Sequence, residues 1–161
     1  ISHRRRCCHL VLFVTSFWLA SLLAGCAAGR THARMPYADS GRTQFESYCA
    51  ACHLSDGPGM MGEAPSLEGS SWVVGPENRL IRIVLHGLRG TIEVRGKTYN
   101  QEMPGFGQVL TDAEIASLLS FVRQRFGGAS TPISPATVGR LRAATRNRTG
   151  YWTVDELLAE P

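Results

Sequence analysis

Two thiols and an imidazole stand together at Cys49-Ala50-Ala51-Cys52-His53. Cys-x-x-Cys alone serves redox dithiols and half-sites for zinc as well as porphyrin attachment, and the residue that follows separates them. Thiols three positions apart lie on one face of a helical turn, where both reach the vinyl groups along one porphyrin edge. A histidine directly after the second thiol can turn beneath the ring and bind iron, which is the pattern of covalent c-type haem attachment. A thioredoxin-like dithiol expects a βαβ setting, whereas this motif closes a helical pattern. A structural zinc takes four ligands, and neither the remaining cysteines nor His32 and His86 stand at a finger spacing. The motif therefore implies one covalent haem c, held by Cys49, Cys52 and His53.

The elements around it must be helices. Phe45, Tyr48, Cys49 and Cys52 recur at the spacing of one helical face, starting near Gly41. Ser55 to Ser71, rich in Gly, Pro and Ser, reads as loop. A second helix fits Pro76 to His86, with Ile81, Val84, Leu85 and Leu88 as its stripe and Gly87 and Gly90 as its stop. Thr91 to Tyr99 alternates as a short hairpin would around Arg95-Gly96, and residues 100–107 read as loop. Thr111-Asp112-Ala113-Glu114 is a capping box. It opens a helix striped by Ile115, Leu118, Leu119, Val122 and Phe126 and closed by Gly127-Gly128. In the tail, Ser134-Pro135 opens a further helix striped by Val138 and Leu141, and Thr153 to Glu156 is a second capping box.

The start of the chain is of a different kind. Ser2-His3-Arg4-Arg5-Arg6 is basic, and Leu10 to Ala24 is apolar with only Thr15, Ser16 and Ser21 interrupting it. That length suits the core of a signal peptide and falls short of a spanning helix. It ends in Leu23-Ala24-Gly25-Cys26, which resembles the lipobox of bacterial lipoproteins, where the cysteine is acylated and becomes the first mature residue. An uncleaved anchor or an ordinary cut nearby are the alternatives. The expected organisation is a lipoprotein signal peptide at 1–25, a flexible tether at 26–40, a domain at 41–127 and an extension at 128–161.

Without the leader, 14 basic residues face 13 acidic ones. The near balance gives no support for nucleic-acid binding, and the single lysine, Lys97, gives none for a lysine-ringed docking face. Cys7 and Cys8 go with the leader and Cys26 is the lipid site, so none is left for a structural disulfide. A domain of this size then needs a good core or a cofactor to build on.

Beyond the haem motif, the aromatic Phe45 one turn before it, Met103-Pro104-Gly105-Phe106 and the closing helix with Leu118-x-x-Phe121-Val122 together resemble the class I cytochrome c family, from about Gly41 to Phe126. The resemblance implies an all-α cytochrome c-like fold of three to four helices around one haem, followed by a C-terminal helical extension. It also implies that His53 and Met103 are the axial pair, and that the Pro65 carbonyl accepts the His53 ring N–H. Met60, Met61 and His86 are other candidates for the sixth position, and a loop kink is the plainer reading of Pro65. Trp72 and Tyr99 could line the pocket or simply be core.

With both axial positions filled, single-electron transfer is the expected work rather than catalysis. The protein would be a membrane-anchored carrier, or the electron-accepting subunit of a periplasmic dehydrogenase or respiratory complex. Its partners would be a redox donor, a redox acceptor and the membrane of a bacterial cell envelope. The alternative is a haem enzyme or ligand sensor with a labile sixth site. The tail arginines Arg140, Arg142, Arg146 and Arg148 are either the solvated face of a helix clamped by Val138, Leu141 and Trp152, or a docking surface for an acidic partner.

Overall fold

A computed structural model describes residues 36–129 and 131–159. The leader, Cys26 and the first part of the expected tether lie outside the described residues.

Helix α1 (Pro36–Tyr48) runs into a one-turn α2 (Ala50–His53), with Cys49 between them. A proline is tolerated at a first helical position because its missing N–H would have no partner there. The helix therefore takes up Pro36–Ser40, where a tether was expected. After a loop come the short α3 (Ser71–Val74), then α4 (Glu77–His86), in which Pro76 is the cap and not the first helical residue. The capping box forms as read: the Thr111 hydroxyl accepts from the Glu114 backbone and the Glu114 carboxylate accepts from the Thr111 N–H at 2.8 Å, opening α5 (Asp112–Gly127). Gly128, in the left-handed region, ends it. In the tail, Ser134 caps α6 (Pro135–Ala144), and α7 (Val154–Ala159) follows the Thr153–Glu156 box.

The strictly all-α expectation is corrected. Five short strands accompany the helices: β1 (Gly87–Arg89), β2 (Ile92–Val94), β3 (Lys97–Tyr99), β4 (Met103–Pro104) and β5 (Trp152–Thr153). The β2–β3 hairpin was legible, and it turns through Arg95 and Gly96, both with positive φ. The other sheet, in the order β4-β1-β5, was not. Its strands are two or three residues long, too short to show alternation, and their partners lie far apart in the chain. Leu88 belongs to β1 and not to the stripe of α4, because the chain becomes extended at Gly87.

Helices α1 and α5 make the main packing contact. A Cβ on Gly41 would stand 2.3 Å from the Ser117 carbonyl oxygen and 2.9 Å from the Phe121 Cβ, so only glycine permits this approach. One turn on, Phe45 is fully buried, its ring 5.6 Å from that of Phe121 and 5.3 Å from that of Phe126. The main core continues through Ile81, Val84, Leu85, Ile115 and Leu118. Ile133, Val138 and Leu141 of the tail are buried in it. A smaller cluster of Ile83, Leu88, Trp152 and Leu157 packs against Met103. Among the described residues, no helix is long and apolar enough to cross a membrane.

Candidate haem site

The helix break at Cys49 sets the two thiols. Its N–H still donates to the Phe45 carbonyl at 2.9 Å, and the His53 N–H returns to the Cys49 carbonyl at 2.9 Å, so α2 is a single turn hinged on α1. Cys49 is half-buried and Cys52 exposed, both as free thiols. Burial, and secondarily the neighbouring Cys52, push the Cys49 thiol up to about 12.

His53 is buried, and its Nδ1 lies 3.0 Å from the carbonyl oxygen of Pro65. A carbonyl only accepts, so Nδ1 carries the proton and the Nε2 lone pair is left for a metal. Burial lowers the ring's pKa and so favours the neutral ring that a metal needs; the Pro65 bond opposes this in part. The loop delivers Pro65 by folding back on the motif: Gly59 N–H donates to the His53 carbonyl at 3.0 Å, and Leu67 N–H to the Gly57 carbonyl at 2.8 Å.

Met103 arrives from β4, where it pairs with Leu88 of β1. Two adjoining cavities both border Cys49, His53, Pro65, Leu88, Ile92 and Met103, and so form one slot. Cys52 and the buried Tyr99 border one cavity; Trp72, Val84, Leu118 and Val122 border the other. The donor set suits a c-type haem: two thiols at one edge, a neutral imidazole with a free lone pair, a thioether on the same slot and apolar walls.

The other candidates are elsewhere. Met61 is 84 % exposed and Met60 is taken up in a bridge with Ala64; neither borders the slot. The Thr145 hydroxyl donates to the Leu141 carbonyl at 2.7 Å, so in its 2.7 Å contact with His86 it accepts and His86 Nε2 carries the proton. Burial first, then Arg148 and Arg142, lower the His86 pKa, so the ring stays neutral with that nitrogen committed to the tail. Among the described residues, no three His, Cys, Asp or Glu side chains gather as a metal site.

Sequence reasoning did not pick out Leu88, Ile92, Tyr48 or Phe106 as slot residues. Tyr48 meets Phe106 edge-on at 5.8 Å across the opening. Ile92 had its strand alternation as a signal; Leu88 had only a misplaced helical stripe.

The family described as cytochrome c oxidase, cbb3-type, subunit III matches residues 36–122. The chain belongs to it. Cytochrome c-552 of Thermus thermophilus is 38 % identical over 104 residues, covering 59 % of this chain and 79 % of that protein. The fructose dehydrogenase cytochrome subunit of Gluconobacter japonicus is 34 % identical over 131 residues, 75 % of this chain but 26 % of the subunit. The gluconate 2-dehydrogenase cytochrome c subunit of Pantoea cypripedii is 34 % identical over 110 residues, 64 % of this chain and 24 % of the subunit. This member of the cytochrome c family thus carries covalent haem c and works in electron transfer; it is not itself an enzyme.

Proposed function

We propose that Cys49 and Cys52 bind the haem as thioethers, that His53 and Met103 are its axial ligands, and that the protein is an exported, lipid-anchored electron carrier or electron-accepting subunit. The observation that carries the reading is that His53 and Met103, fifty positions apart, border one apolar slot beside both thiols. When bound, the haem gains and releases a single electron.

The chain's own residues set how readily that happens. Pro65 holds the His53 ring in one tautomer and raises the basicity of its free nitrogen. The Met103 thioether raises the potential relative to a harder sixth ligand. The slot's apolar walls exclude water and so limit the solvation of charge. Were His53 and Met103 both to hold the metal, no site would remain on it for a substrate.

The dehydrogenase subunits among the relatives support a partner that delivers electrons from an oxidised substrate. Acylation at Cys26 would hold the protein firmly, since one chain anchors only marginally and each buried methylene adds about 0.8 kcal/mol. A tether ahead of the domain at 41–127 would then give membrane partners a high effective concentration.

A redox titration of the holoprotein tests the carrier role. One reversible one-electron wave, with carbon monoxide binding slow and weak in the ferrous state, is expected; rapid, tight binding points to the ligand sensor. Cys26→Ser should move the protein from the membrane to the soluble fraction, and unchanged fractionation removes the anchor from the account.

A further inference from the structure

The strand that carries Met103 is too short to hold its own position. β4 has two residues at the edge of its sheet and pairs with β1, which pairs in parallel with β5 of the tail, Leu88 opposite Trp152 and Arg89 opposite Thr153. So short a pairing is marginal by itself, and what lies on either side must fix it.

The tail supplies three supports. Trp152 and Leu157 are buried in the small cluster that packs against Met103. Arg142, on α6, catches the chain just beyond β4: its guanidinium donates to the carbonyls of Gly107 and Leu110, the latter at 2.9 Å, while its Nε donates to Asp112 at 2.7 Å. His86, immediately before β1, donates to Thr145 at the end of α6. A planar fork that serves two carbonyls and a carboxylate together is something a lysine cannot reproduce. Two of the four tail arginines, Arg142 and Arg148, are turned inward for this work. Arg148 lies 3.6 Å over the Trp152 ring and 2.6 Å from Glu156, and only Arg140 and Arg146 of the four are exposed.

We infer that the segment from Ser134 to Ala159 is a positioning strap for Met103, with Arg142 as its main positioning residue. The inference rests on the reading of Met103 as the sixth ligand. The strap sets how often Met103 leaves the iron. An added ligand binds only when it has left, so the apparent affinity of that ligand rises in proportion to the open fraction.

The test is imidazole binding to the ferric holoprotein, followed by the loss of the Met–iron charge-transfer band. Arg142→Gln removes charge-assisted hydrogen bonds to part-buried carbonyls and should tighten the imidazole Kd by about tenfold. Thr145→Val, which frees His86, should tighten it by a smaller factor. Ile115→Val trims the core away from the slot as a stability control; it should lower Tm without changing the Kd. Should Arg142→Gln yield no holoprotein, Thr145→Val decides the matter. An unchanged Kd in the tail variants, or an equal change in Ile115→Val, would overturn the strap. A wild-type protein with no Met–iron band would instead remove the ligand reading beneath it, before any variant is compared.

Discussion

His53 sits on a wall whose parts all fall between Phe45 and Pro65: a helix, a break at Cys49, one further turn and a loop folded back by its own hydrogen bonds. Met103 sits on a wall assembled from residues 87–89, 103–104 and 152–153, braced by Arg142 and Trp152 of the tail. The first wall is continuous in sequence and is backed by α5, through Phe45 on Phe121 and Phe126. The second includes one pairing, β1 with β5, that closes only when the C-terminal segment has docked. Haem attachment and sixth-site occupancy are therefore separable properties, and substitutions should sort by wall.

The largest effect is expected at the first wall. His53→Ala should abolish accumulation of holoprotein, read as haem absorbance per polypeptide, because on the proposed reading the ring is the attachment-side ligand. Holoprotein at wild-type yield would show that another group takes its place.

Core truncations separate the walls at comparable cost. Phe45→Ala should destabilise the fold by about 3–5 kcal/mol and Leu157→Ala by about 2–5 kcal/mol in denaturant melts. The spectroscopic consequence differs. Phe45→Ala should weaken the Met–iron band less than Leu157→Ala, which hollows the small cluster packed against Met103. Equal effects on the band would erase the distinction between the walls.

The smallest effect concerns acid. Hydrogen bonding to Arg148, and then to the Thr153 backbone, lowers the Glu156 carboxyl from 4.5 to about 2. The folded chain binds this proton less readily than the unfolded chain, so the contact supports the fold above about pH 4.5 and is lost as pH falls through about 2. Glu156→Gln should flatten the acid limb of the Tm profile across that interval and leave neutral pH nearly unchanged. An acid limb as steep as that of the wild type would show that Glu156 contributes nothing there.

The same division explains what the sequence made legible. The haem motif, the stripe of α5, its capping box and the tail's Ser134 and Thr153 caps are encoded within a few residues, and each was readable. Pro65 was reachable only through family resemblance, because no local pattern ties a loop proline to a ring twelve positions earlier. The β4-β1-β5 sheet was missed since pairs such as Leu88 with Trp152 carry no period that one strand reveals. Arg142 looked like one of four surface charges. Its role appeared only when α6 lay beside the Gly107–Leu110 chain.

The most direct test of the account is the ferric spectrum of the wild type beside that of Met103→Ala. The account predicts a low-spin wild type with a Met–iron charge-transfer band, and a variant that keeps its haem but loses the band and binds added ligand readily. A variant spectrum indistinguishable from the wild type would contradict it.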